Sequence, residues 1–221
     1  MPRKKLIYTS DFPYHVVARS NNKEWFDDLN VVWAIFDQEI QEIQKNWGAC
    51  IHAFVLMANH YHLVISASGS FNLGQIMNTL QTRVSKRINF HRKSINHVFG
   101  GQYRASLIVA STDFLRVLRY VYQNPVKASI VPRVEQYKFS TIDSISKLPN
   151  AVRGFPVTFL NTPVFDEANR NLKEQTLLKF LNEKEPDLIY EQFRKAIART
   201  ELKIAPVRSS RRNACAKPKV G

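Results

Sequence analysis

The stretch MANHYHLVIS, residues 57–66, sets His60 and His62 two positions apart in an otherwise apolar, β-branched run. Side chains alternate faces along a strand, so the two imidazoles share one face and Tyr61 takes the other. Two imidazoles on one face can chelate a divalent cation. A bare H-x-H is equally satisfied by two hydrogen-bonded strand histidines, so a catalytic reading needs further groups. Unpaired polar rings inside a sheet are costly, which favours a use for them. Carboxylates are almost missing nearby, so a third ligand is expected to be a neutral oxygen. RYVYQNP, residues 119–125, offers one. On a helix Arg116, Tyr120 and Asn124 fall at i, i+4 and i+8, off the stripe of Phe114, Leu118 and Val121. Tyr120 and Asn124 are therefore neighbours, although each taken singly reads as an ordinary helix aromatic and a helix terminator.

The elements that position these groups follow from periodicity. YHVVARS (14–20) reads as a strand. In 28–48 the residues Val32, Ile35, Phe36, Ile40 and Ile43 recur at helical spacing, and Gly48 closes the helix. CIHAFVLM (50–57) and YHLVISA (61–67) read as two strands of an antiparallel hairpin across the tight ANH link. Residues 71–93 form a second helix, with Leu73, Ile76, Met77, Leu80, Val84 and Ile88 on one side and Arg83, Lys86 and Arg92 on the other. ASLIVAS (105–111) is a fourth strand, and 112–124 a short third helix ended by Pro125. The order β-α-β-β-α-β predicts an α+β, ferredoxin-like split-βαβ fold: an antiparallel sheet with two helices on one face and the other face open for a site. Residues 1–145 form the expected catalytic domain, 146–205 an irregular and then helical C-terminal extension, and 206–221 a basic flexible tail without apolar periodicity.

Net charge is +14 on 221 residues. The distribution is more informative than the total. Between Ile43 and Arg133 the chain has one carboxylate, Asp113, against eleven Lys and Arg. Solvated surfaces mix both signs, so this asymmetry predicts a polyanionic partner and affinity that falls with salt. No apolar run reaches bilayer-spanning length and no signal peptide is apparent. Cys50 and Cys215 make no spacing motif and read as free thiols of a reducing compartment; a cytoplasmic, nucleoid-associated location is expected.

Taken together these segments resemble the single-tyrosine HUH transposases, insertion-sequence type, and among them the REP-associated tyrosine transposases of bacteria. PYHVVARSNN is similar to the family's first strand, FVLMANHYHLVI to its histidine hairpin, LRYVYQNPVKASIV to its tyrosine helix, and YKFSTIDSI (137–145) to the segment that follows. The resemblance spans roughly residues 8–145 and implies an HUH nuclease palm. It implies that His60, His62 and Asn124 hold Mg2+ or Mn2+, and that Tyr120 is the nucleophile. Tyr122 turns toward the buried stripe and is the less suitable phenol. Related transposases often use Gln as third ligand, which leaves Gln123 as the alternative. Tyr61 stands where the family usually has an aliphatic residue, and Ala58 where it usually has proline.

The activity so implied is endonucleolytic cleavage and strand transfer on single-stranded DNA hairpins of the REP type, through a 5′-phosphotyrosine. Arg83, Lys86, Arg87, Arg116 and Arg119 are candidate DNA contacts, as are Arg3 and Lys4 near the N-terminus and Arg211 and Arg212 in the tail. A monomer is favoured over a homodimer. Two other readings stand beside this one: a hairpin-binding protein whose chemistry is lost, and a zinc hydrolase using the H-x-H pair, which imidazoles would also suit, with His15 or His52 as a third ligand.

Overall fold

The fold is described from a computed structural model, for residues 6–67, 70–95, 97–142, 170–184, 186–197 and 199–202. Arg3, Lys4, Arg211 and Arg212 lie outside the described residues, as does most of the expected irregular segment after residue 145.

Two long helices form where the apolar stripes predict them, and each start is capped by a side chain. The helix α1 (Leu29–Asn46) begins at Asp28, whose carboxylate accepts the Asn30 N–H. The helix α2 (Leu73–Arg92) begins with a reciprocal capping box between Asn72 and Gln75 and ends at Lys93 in the left-handed region, φ 54°. These contacts satisfy N–H groups that the first turn of a helix leaves without partners. All six stripe residues of α2 are buried, each contributing roughly 1.5–3 kcal/mol by leaving water.

Four strands, β1 (Tyr14–Arg19), β2 (Ala49–Leu56), β3 (His60–Ala67) and β4 (Arg104–Leu107), form one antiparallel sheet in the order β2-β3-β1-β4. This is the ferredoxin-like arrangement expected from the element order, with β4 ending earlier than its apolar run predicts. Tyr61, Leu63 and Ile65 of β3 point into the core shared with α1 and α2. Tyr61 packs against Phe36, Phe54 and Phe99, and its hydroxyl accepts a hydrogen bond from Gln81 of α2 at 3.1 Å. The core therefore accommodates a phenol in the middle of the histidine strand.

The opposite sheet face is not left open. It is covered by α3 (Ser111–Lys127) and, through α3, by α4 (Arg170–Asn182) and α5 (Asp187–Ala196). Both sheet edges are also paired. Leu56 N–H and Thr141 N–H bond across β2 to Phe139 and Phe54, while Leu107 exchanges backbone bonds with Thr200 and Leu202 beside β4. Unpaired edges invite strand addition, and these segments remove that opportunity.

The helix α3 corrects one expectation. It does not stop at Pro125 but continues to Lys127. Pro125 has no N–H for the Val121 carbonyl. The Asn124 side chain replaces it: Nδ2 donates to Val121 O at 3.3 Å and to Tyr120 O at 2.8 Å. With that carbonyl satisfied, the helix passes through the proline.

Candidate active site

The register decides which side chains gather on the face away from α1 and α2. Arg19 pairs with His60, Val17 with His62 and His15 with Val64. Directly paired residues share a face, so His15, Arg19, His60 and His62 lie together. The His60 and His62 ring centroids are 5.2 Å apart. Each has a group behind its Nδ1. His60 Nδ1 lies 2.8 Å from Asn59 Oδ1, and Asn59 Nδ2 donates to Lys23 O at 3.0 Å, which fixes the amide's orientation. His62 Nδ1 lies 3.0 Å from His15 Nε2. The Nε2 atoms of both rings are thereby left for another partner.

Burial keeps the three rings neutral. His15 is pushed down to about 3 by desolvation alone. His60 is pushed down to about 4, by burial first and then by the Arg19 charge. His62 is held well below the usual histidine value by burial, with His15, His60 and Arg19 adding to the effect. Neutral imidazoles with exposed lone pairs are what a divalent cation needs.

Tyr120 comes from α3. Its ring centroid is 5.6 Å from that of His62 and 5.9 Å from that of His15, edge-on to both. The expectation of a phenol off the core needs amendment, because Tyr120 is buried. Tyr190 and Phe193 of α5 each approach its ring to 5.5 Å. Burial and the neighbouring Tyr190 raise its pKa, and Arg194 of α5 opposes that shift. Tyr122 faces the other way, fully buried, with its hydroxyl 3.1 Å from Thr141 Oγ1.

Asn124 and Gln123 diverge. Gln123 is buried and its amide donates to Leu181 O at 2.8 Å and Glu183 O at 2.7 Å, closing the C-terminal end of α4. Asn124 instead uses its amide N–H groups on the backbone of α3. Among the described residues no three His, Cys, Asp or Glu side chains converge on one point. His52, at the bulge in β2, is bonded to Ser66 at 2.8 Å and covered by Phe114. Ser66 is four residues from His62, ~13 Å along the strand. His60 and His62 are therefore the imidazoles on this face able to act as donors to a divalent cation.

The expected DNA-contacting cations fall in different places. Arg83 and Arg87 lie on the helical side of the sheet, clamped onto the buried carboxylate of Glu39 in α1, Arg87 at 3.0 Å. Lys86, between them, is exposed. Arg116 is half exposed on α3 and 3.7 Å from Asp113. Arg119 does not face solvent: its guanidinium stacks on Phe180 at 4.5 Å and lies 3.8 Å from Glu183, joining α3 to α4. One cation on the histidines' own face was passed over by charge counting along helices. Arg19 is exposed and shares their face. Its alternation with His15 and Val17 in YHVVARS was the available signal. Tyr190, Phe193 and Arg194 had no such signal, because nothing local in α5 points to β3.

A four-stranded antiparallel sheet carrying a histidine pair, with a helix laying a tyrosine beside it, has the fold of the HUH single-tyrosine transposases. Of the solved structures, a REP-associated tyrosine transposase bound to a REP hairpin is similar over 76% of this chain and 96% of its own, at 15% identity and TM-score 0.56. A transposase-like protein from Deinococcus radiodurans R1 matches 55% of this chain and 94% of its own, at 14% identity and TM-score 0.34. No curated protein matches. Residues 8–124, more than half of the chain, match the family described as transposase IS200 like, and the chain belongs to that family. Family membership makes it a DNA transposase or nuclease. No helix among the described residues is long and apolar enough to cross a membrane.

Proposed function

We propose that this protein is a divalent-metal-dependent, single-strand-specific DNA endonuclease and strand transferase that acts on REP-like hairpins through a 5′-phosphotyrosine. The observation that carries the reading is the approach of the Tyr120 ring to within 5.6 Å of the His62 ring, on the face that also presents His60. His60 and His62 would hold Mg2+ or Mn2+ through Nε2, and Asn124 through Oδ1. Gln123, engaged with α4, is the less suitable alternative. A bound cation supplies Lewis-acid polarisation of the scissile phosphate.

Tyr120 Oη attacks phosphorus as the bond to the 3′ oxygen breaks. The phenolic proton is lost to solvent or a base, and the departing oxygen takes up a proton to become a 3′-hydroxyl. The covalent link keeps the phosphodiester's energy, so rejoining needs no ATP. A phenol of pKa ~10 is only about 0.1% ionised at neutral pH, and burial under α5 lowers that fraction. The reactive conformation therefore has α5 drawn back, with Arg19 and Arg116 available to the DNA backbone. Covered sheet edges favour a monomer.

The second reading is a hairpin-binding protein without chemistry. One gel separates the two. Purified protein, Mn2+ and a hairpin oligonucleotide with a single-stranded flank should give a covalent adduct. Tyr120→Phe should abolish it and leave hairpin binding intact, whereas Tyr122→Phe should leave the adduct in place. An adduct lost only in Tyr122→Phe refutes the assigned nucleophile. No adduct from any form, with binding retained, supports the second reading.

A further inference from the structure

His15 takes no part in the scheme above, yet it is among the most enclosed polar side chains of the sheet, 1% exposed. Its Nε2 stands 3.0 Å from His62 Nδ1, with the two rings 14° from parallel and their centroids 5.2 Å apart. The register brings this about. His62 pairs with Val17, so His15 is its diagonal neighbour on the same face, at a separation long side chains can bridge.

Two neutral imidazoles facing each other nitrogen to nitrogen share one hydrogen, and there are two ways to place it. If His15 donates, His62 carries its own proton on Nε2 and presents an N–H to the site, which repels a cation. If His62 donates, its Nε2 is a bare lone pair. For His60 the matter is decided by Asn59, whose amide is oriented by Lys23 O and offers only its oxygen. His62 has His15 in the equivalent place. His15 cannot join the same cation itself while its Nε2 faces His62 Nδ1.

We infer that His15 is a positioning residue: its Nε2 accepts the His62 Nδ1–H and so holds the His62 Nε2 lone pair outward for a divalent cation. The inference rests on the metal reading of the site. It adds a specific structural requirement, that His15 carry its own proton on Nδ1. Acceptors placed behind ligating histidines in this way set the tautomer and raise ligand basicity.

The test uses the full chain and two readouts. Side-chain 15N shifts of the metal-free protein report which nitrogen of His62 is protonated, and calorimetry reports Mn2+ affinity. The expected result is a His62 proton on Nδ1. His15→Phe, which keeps a ring but has no acceptor, should lose about 10- to 100-fold in Mn2+ affinity. His15→Gln, which can place a carbonyl oxygen near the position of Nε2, should stay within about threefold of wild type. Thermal melting checks that each variant is folded. Should His15→Phe fail to fold, the wild-type 15N shifts decide the matter alone. A His62 proton on Nε2, or a folded His15→Phe protein that binds Mn2+ like wild type, overturns the role of His15. A wild-type protein that takes up no Mn2+ instead overturns the metal reading beneath it.

Discussion

His15 and His62, buried, and His60, partly buried, are held neutral on one sheet face and should make this fold sensitive to mild acid. Each has an unfolded value of 6.5; His15 is lowered to about 3, His60 to about 4, and His62 well below 6.5. Above pH 6.5 the rings are neutral in both states and add no pH dependence. As pH falls below 6.5 the unfolded chain binds protons that the folded chain refuses, so stability is lost, down to the folded values. At pH 5 the cost is RT ln(1 + 10^1.5), ~2 kcal/mol for each of His15 and His60, and His62 adds to it in the same direction. For His15 and His60 the limiting slope is two protons at ~1.4 kcal/mol each, roughly 3 kcal/mol per pH unit, and His62 steepens it. A domain is typically stable by about 5–15 kcal/mol, so this term alone can consume much of it. Urea melts in EDTA at pH 7.5, 6.0, 5.5 and 5.0, followed by circular dichroism, measure the slope. In His15→Phe it should fall by about one proton. Stability that stays flat from pH 7.5 to 5.0, or a His15→Phe slope equal to wild type, would refute the claim that these rings stay neutral in the fold.

Three other outcomes follow from the same contacts. Arg19→Gln should weaken hairpin binding and reduce its salt slope by about one, measured by fluorescence anisotropy at several salt concentrations. Phe193→Ala uncovers Tyr120; it should cost about 3–5 kcal/mol in a urea melt, while the folded fraction shows faster adduct formation and faster tyrosine nitration at residue 120. Replacing Arg83 and Arg87 together with Ala strands the buried Glu39 carboxylate. The double variant should lose about 2–4 kcal/mol, tempered because both guanidiniums are partly exposed, with hairpin affinity per folded molecule little changed. A large loss of affinity there would return those arginines to the DNA interface.

Much of the architecture was legible because two periodicities are hard to confuse over long segments. The stripes of α1 and α2 repeat at helical spacing through several turns, and all six predicted α2 residues are buried. Strand alternation placed His60 and His62 on one face before any coordinates. The resemblance to the single-tyrosine transposases added the relation between the hairpin and RYVYQNP, and the family match covers the hairpin and the helix as far as Asn124. Local pattern misled at Pro125, where proline reads as a stop. The compensating bond from Asn124 is a side-chain choice that spacing does not encode. Nor could it show the acidic partners of Arg83, Arg87 and Arg119, because Glu39 and Glu183 lie 44, 48 and 64 positions away in the chain.

The order of elements, the shared face of the two histidines and the divergence of Tyr120 from Tyr122 are properties of the sequence alone, since each depends only on the pitch of a helix or the pleat of a strand. Which residues stand behind and above them was decided by tertiary structure. The β1–β3 register brings His15 to His62, and the packing of α4 and α5 on α3 occupies Gln123 and covers Tyr120. Register and helix docking are set by many weak long-range contacts summed over the whole core, and no short stretch of sequence contains that sum.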